Sequence, residues 1–334
     1  MSSFRIERVD RGIKARSEDI YCLSSFKEMA YLALPRIIPV IALLLIPLIL
    51  PIYWQRVWLS ASILGLLAIS WDFLASYAGL ISLGHAFFFG AGAYVAGCLN
   101  FYYGVPPALS ILAGTFSGAA LSLLLLLPAL RLRGIYFAMV SLVLPLIAGR
   151  IIEATGKLGG TEGLVGITPL PNMWIELYVV LIVLIFVLFA FMKLSNMDFG
   201  IVLQGIKENE HAVRSAGIDI TKYKIKALFI AALPAAFAGA WLTHVYTFVG
   251  IPSFALDYSL MPIAATVLGG TGTLAGPIFG SFILGILSEI LRGIGAWRIV
   301  AYSIIIVVFV VLRPQGLYSL VRRKYHQIER KVEL

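Results

Sequence analysis

Residues 176–192 read ELYVVLIVLIFVLFAFM, a run whose one charge, Glu176, stands at its first position. It is too long for an ordinary strand. It is close to the roughly 20 apolar residues that a helix needs to cross about 30 Å of hydrocarbon. Working outward, similar runs occur at 37–53, 58–76, 80–100, 107–130, 135–152, 225–249 and 298–312, with a longer one at 259–291. The whole chain of 334 residues agrees with this: 60% is hydrophobic and 13% charged, and the mean hydropathy is +0.95. Soluble domains carry about 25% charged residues. A chain so poor in charge cannot cover a water-facing surface. That excludes a soluble enzyme, a nucleic-acid-binding domain and a disordered protein. The expected class is all-α, a polytopic membrane protein.

The run 259–291 exceeds one crossing and is interrupted at Gly269-Gly270, Gly272 and Gly276-Pro277. It reads as two short crossings, or as one helix with a re-entrant piece. The net charge of +9 supplies the orientation. Twenty-one of the 26 basic residues fall before residue 37, at Arg131 and Arg133, between Lys193 and Lys226, and from Arg313 onward. Placing all four groups in the cytoplasm satisfies the positive-inside rule. Both termini are then cytoplasmic and the crossings must be even in number. Splitting 259–291 gives ten; eight remains if 80–100 or a neighbour is re-entrant. The expected organisation is a cytoplasmic segment 1–36, a transmembrane domain 37–312 and a basic cytoplasmic tail 313–334. Within the domain, the Gly/Pro-rich stretch 153–175 faces outside and 193–224 is the longest cytoplasmic loop. The first apolar run begins too late for a secretory signal.

Small residues four apart (Gly114 and Gly118; Ala231, Ala235 and Gly239; Gly272, Gly276 and Gly280) point to closely packed helices, since association in lipid rests on van der Waals contact. The stretch 79–91, GLISLGHAFFFGA, is echoed at an offset of 191 by 270–282, GTGTLAGPIFGSF. Gly79 matches Gly270, Ser82 resembles Thr273, Leu83 matches Leu274 and Phe88 matches Phe279. Transporters are often built from two repeats with interrupted helices in corresponding places, and chance similarity of two Gly-rich segments is the rival reading. Asp72 and His85 are ionisable groups in or beside apolar runs. Either they line a polar path together with Ser82 and Thr273, or they make hydrogen bonds between helices, Asp72 for example with a nearby Ser or Trp N–H. His244 and Glu289 lie nearer span ends and are expected at the interface.

The cytoplasmic segment FGIVLQGIKENEHAVRSAGI, Phe199 to Ile218, places Ile201, Val202, Ile206, Val213 and Ala216 on one helical face. Lys207, Glu208, Glu210, His211 and Arg214 supply polar faces. Glu210 and Arg214 are spaced as an i, i+4 pair, and Gly217 suits a helix C-terminus. Such a segment docks a partner or lies on the membrane surface. No phosphate-cradling Gly-rich loop with Lys-Ser or Lys-Thr occurs. The two cysteines (Cys22, Cys98) and four histidines have no metal-ligand spacing. The residues therefore suggest neither an enzyme nor a metal or other cofactor.

Several stretches in the same order resemble the permease subunits of branched-chain amino-acid ABC importers, the LivM type. They are 77–97, 133–142, 155–167, 199–218, 223–241, 267–284 and RPQGL at 313–317, and they cover nearly the whole membrane part. The resemblance implies an inner-membrane permease that works with a second permease subunit, cytoplasmic ABC ATPases and a periplasmic or lipid-anchored binding protein. It also places the ATPase-coupling loop around Glu208–Gly217, which favours docking. Two departures stand out. His211-Ala212-Val213 occupies the place of a Glu-Ala-Ala consensus. Asp72 stands where such permeases commonly carry Asn before the YAG motif. Related permeases also move urea, short amides or other amino acids. An ion-coupled secondary transporter is the alternative class, with Asp72 and His85 as its candidate ion site.

Overall fold

The computed structural model describes residues 5–6, 26–132, 134–156, 158–295, 297, 300, 303–304, 307–308, 316–317 and 331–332, with side chains from residue 37 onward. The chain forms two compact units, one of residues 1–49 and 319–334, the other of residues 50–318. The first contains helix α1, Phe26–Ile49, and a two-residue antiparallel pairing of Arg5–Ile6 with Lys331–Val332. Helix α1 begins 11 residues before the expected span at 37 and ends before Pro51. The expected basic tail and the last span, 298–312, lie almost wholly outside the described residues, as does most of the segment 1–36.

The second unit is a helical bundle. Its helices are α2 (Ile52–Asp72), α3 (His85–Tyr103), α4 (Pro107–Leu126), α5 (Ile135–Thr155), α6 (Met173–Asn196), α7 (Asp198–Glu208), α8 (Glu210–Ser215), α9 (Ile220–Tyr246), α10 (Asp257–Gly269) and α11 (Ala275–Ile290). Strand appears, among the described residues of this unit, only where Leu164–Val165 pairs with Phe248–Val249. Among the described residues, seven helices of this unit are long and apolar enough to cross a membrane. The fold class is therefore all-α and polytopic. Helix α3 falls outside the seven; its Gly and polar residues pack inside the bundle, between α4 and α9. The run 259–291 is split as expected. α10 and α11 alone span about 20 and 24 Å at 1.5 Å per residue. With the 3₁₀ turns Ile251–Phe254 and Leu291–Ile294 they reach 19 and 20 residues, near membrane thickness.

Helix α2 is the axis. It is buried along most of its length and packs on α6, α9, α10 and α11, while α3, α4 and α9 form a second cluster. The small residues explain how close these helices come. A Cβ on Gly239 of α9 would lie 1.9 Å from the Phe89 carbonyl oxygen of α3, and one on Gly118 of α4 would lie 2.7 Å from Gly92 Cα. A Cβ on Gly280 of α11 would lie 1.9 Å from the Ala265 oxygen of α10. Large apolar side chains point outward instead: Leu112, Phe116 and Leu124 on α4, Met139 and Leu146 on α5, Ile182 and Phe186 on α6. Such a surface suits lipid and not water.

Side-chain bonds fix which ends lie together. Tyr53, at the start of α2, donates to Glu289, near the end of α11. Arg56 pairs with Glu176 of α6 at 2.5 Å, and Trp241 of α9 donates to the Glu176 carbonyl (3.1 Å). The opposite end carries α7 and α8, the C-terminus of α2 and the N-termini of α3, α9 and α11.

Candidate functional site

The first interruption follows α2. The chain passes through a π-helical turn, Phe73–Tyr77, then Gly79 at φ 68°, before α3 starts at His85. An unwound segment inside a membrane bundle must satisfy its backbone groups within the protein. Here hydroxyls and an indole do so. Ser141 of α5 accepts from Leu83 N (3.0 Å), and Ser259 of α10 accepts from Ala86 N (2.9 Å). Ser82 Oγ accepts from Gly84 N (3.2 Å), while Trp71 Nε1 donates to the Ser82 carbonyl (2.7 Å). The buried His85 ring lies with Nε2 3.2 Å from Ser70 Oγ. Ser70 spends its own proton on the Ala231 carbonyl (2.5 Å). The His85 proton is therefore assigned to Nε2.

In the second interruption, 270–274, both backbone N–H bonds that reach across the bundle go to one side chain. Asp72 is fully buried. Its Oδ1 accepts from Gly272 N at 2.7 Å and from Ser76 Oγ at 2.6 Å, and its Oδ2 accepts from Leu274 N at 3.2 Å. Tyr77 Oη adds a bond to the Gly272 carbonyl (3.2 Å). Thr273 Oγ1 donates to the Gly270 carbonyl (2.8 Å) and accepts from Gly276 N (3.0 Å), at the start of α11. Leu274 holds φ 56°, a conformation that costs a non-Gly residue about 1–3 kcal/mol.

Asp72 and Thr273 thus meet at one interruption and Ser82 and His85 at the other; no hydrogen bond joins Asp72 to His85. Asp72 bonds Ser76 within its own helical stretch and Gly272 and Leu274 across the bundle, while the Trp71 indole goes to the Ser82 carbonyl. The two echoed stretches also match in local form. Gly79 and Gly270 both have positive φ, and Ser82 and Thr273 both accept a backbone N–H at the next helix start.

The polar segment folds as two helices, α7 and α8, not one. Asn209 is extended (φ −155°, ψ 97°) and caps α8, accepting from His211 N and Ala212 N. This break shifts the buried face from the expected one. Gly200, Leu203 and Ile206 are buried, whereas Ile201 is 57% exposed and Ala216 is exposed. Glu210 pairs with Lys224 of α9 (2.5 Å, both largely buried). Lys224 was not singled out because its 14-residue separation leaves no local spacing signal. Gly217 does close α8, at φ 80°, with Gly217 N bonded to the Arg214 carbonyl and Ile218 N to that of Val213. Asp219 caps α9. The Lys222 backbone N–H, then its ammonium, hold the Asp219 carboxyl below the usual carboxylate range. Lys207 Nζ crosses to the Ser76 carbonyl at 2.8 Å, and the Lys207 backbone and stem lie against Gly79. Glu208, His211 and Lys224 line a cleft shared with Gly79, Leu132 and Gly134.

At the other end an open cleft of about 330 Å³ lies between α2, α10 and α11. Arg56, Ser60, Ser288, Glu289 and Arg292 give it polar walls, and Val57, Leu64, Met261 and Leu284 an apolar one. Arg292 pairs with Glu289 at 3.1 Å. Sequence reasoning missed Arg56, whose partner Glu176 lies 120 residues away, and Arg292, although its partner Glu289 stands three residues before it. His244, in the last turn of α9, is fully buried. Its Nε2 lies 2.7 Å from Ser110 Oγ and its Nδ1 2.8 Å from the Thr168 carbonyl oxygen, because Leu164–Val165 and the following residues fold over the end of α9.

Residues 54–312 match the family described as "Branched-chain amino acid transport system / permease component". The chain belongs to this family of multi-pass membrane transport subunits. It is 30% identical over 290 residues to the high-affinity branched-chain amino acid transport system permease protein LivM of Salmonella typhimurium, a match covering 77% of this chain and 68% of the relative. The Escherichia coli protein of the same name is 28% identical over 289 residues, with the same coverage. A shorter match, 34% identity over 128 residues, covers 36% of this chain and 39% of the ribose import permease protein RbsC of Bacillus subtilis.

Proposed function

We propose that this chain is the membrane-spanning subunit of an ATP-binding-cassette importer for branched-chain amino acids in the inner membrane. The observation that carries this reading is α7–α8, a polar helix pair beyond the end of the family-matched bundle, tied to it by Lys207 and Glu210. In this reading Lys207, Glu208, Glu210, His211, Arg214 and Gly217 belong to the surface that meets cytoplasmic ATPases. The same end carries Arg131 and Lys193, which agrees with the positive-inside rule. Eight bundle helices, α1 and the 298–312 span then make ten crossings, with both termini cytoplasmic, and the matched interruptions belong to two repeats.

A binding protein delivers substrate near 153–175, and transport runs along the contact with a second permease subunit. Asp72, Ser82, His85 and Thr273 shape that path through the interruptions they hold. The opposite-end cleft supports the substrate class: its charged groups suit a zwitterion and its apolar wall a branched side chain. ATP and binding protein each drive the change only by preferring one orientation.

The test is uptake of labelled leucine by vesicles holding the assembled complex. Uptake requiring ATP and the ATPase is expected. Accumulation on an ion gradient without the ATPase overturns the reading in favour of a secondary transporter, and uptake of urea or short amides instead of leucine overturns the substrate. Gly217→Val forces a β-branched residue to positive φ. It should impair ATP-driven uptake or ATPase docking while substrate delivery persists; normal uptake in that variant counts against the assigned surface.

A further inference from the structure

We propose that Asp72 is a positioning residue in a polar relay, Lys207–Ser76–Asp72, that ties α7 to the tip between α10 and α11. The inference rests on the reading of α7–α8 as the ATPase-facing segment and goes beyond it by naming what that segment moves.

The relay is continuous in hydrogen bonds. Lys207 Nζ donates to the Ser76 carbonyl, one of the carbonyls that a helix C-terminus leaves without an intrahelical partner. Ser76 Oγ donates to Asp72 Oδ1, one helical turn back. The same carboxylate receives Gly272 N and Leu274 N from a segment 200 residues away, and Tyr77, next to Ser76, bonds the Gly272 carbonyl. Lys207 also presses on Gly79, whose positive φ leaves no room for a side chain there. Movement of α7 therefore acts on the π-helical turn Phe73–Tyr77 from both sides, and that turn holds the 270–274 tip through Asp72. π-Helical turns recur at functional sites. Leu274, held at positive φ, gives the tip a reason to relax once the carboxylate lets go. Glu210–Lys224, by contrast, ties α8 to α9.

Two readouts decide the inference. The first is hydrogen exchange of the full-length permease in lipid nanodiscs, which needs no partner and no transport. Lys207→Met, at an exposed site, should speed exchange of the 270–276 amides about fivefold or more, the lower end of ordinary coupling between sites. Lys207→Arg should restore protection, and Lys222→Met should leave it unchanged. Asp72→Ala should speed exchange further; if that variant does not fold, Lys207→Met decides alone. Unchanged exchange at 270–276 in Lys207→Met overturns the relay. The second readout is leucine transported per ATP hydrolysed by the complete complex in Ser76→Ala, which leaves the ATPase-facing side chains in place and removes only the hydroxyl bonded to Asp72. A fall of about fivefold in this ratio is expected, and an unchanged ratio overturns the relay's part in transport. If the unmodified complex shows no ATP-driven uptake, the functional reading itself has failed, and the exchange result still judges the contact path.

Discussion

The two interruptions solve one problem in opposite ways. At 78–84 the unwound backbone is held by neutral groups from several elements: Ser82 from the segment itself, Trp71 from α2, Ser141 from α5 and Ser259 from α10. At 270–274 one buried carboxylate takes two backbone N–H groups. Distributed anchoring tolerates the loss of a member, whereas concentrated anchoring fails at once. The first interruption is built to stay, and the second is built so that one contact can release it.

The comparison breaks most readily at Asp72. Asp72→Ala strands the buried Leu274 N–H together with the part-buried Gly272 N–H and Ser76 hydroxyl, a buried group costing about 1–3 kcal/mol when left unsatisfied. The purified permease should lose about 3 kcal/mol or more, read as a lowered midpoint in thermal unfolding, and a loss below 1 kcal/mol sinks the idea of concentrated anchoring. Gly84→Ala comes next. Its Cβ would stand 2.0 Å from the Ser141 oxygen, so α5 must move away at a cost of about 1–3 kcal/mol typical of overpacking. Ser141→Ala removes one neutral acceptor from the distributed site and should cost about 1 kcal/mol; a cost equal to that of Asp72→Ala would erase the contrast. The smallest effect concerns Asp219, an exposed carboxylate in the same donor-accepting role. Its lowered folded pKa means its contribution is present above the ordinary value of 3.8. That contribution is lost as pH falls through the folded value. The stability difference between the protein and Asp219→Ala should therefore be largest near neutral pH and shrink on acidification.

Much of this fold was legible in the sequence because membrane spans are set by length and apolarity. The run 176–192 became α6 with little change of bounds, and the glycines at 269, 270 and 272 marked the break between α10 and α11 correctly. The span 80–100 was misread at its start. Gly79 and Gly84 carry no helical preference, but apolar neighbours hid the unwound stretch before His85. The face of 199–218 was misjudged because Asn209 resets the helical register midway. Long-range partners were not legible at all. Asp72 with Gly272, Arg56 with Glu176 and Glu210 with Lys224 are joined by the fold, and no local spacing anticipates them. For the same reason the sequence left Asp72 open between a lining group and a hydrogen-bonding one; its bonds to Gly272 and Leu274 name the partners.

The π-helical turn at the end of α2 has one further consequence. It stores a spare residue. Returning that residue to α-helical winding would rotate everything beyond Phe73 by about 100°, the angle per residue of an ordinary helix. The Ser76 carbonyl would swing out from under Lys207 and the Ser76 hydroxyl away from Asp72, both in one click. A helix carrying such slack has two registers rather than a range of bends, so a small push at its end is answered by a step.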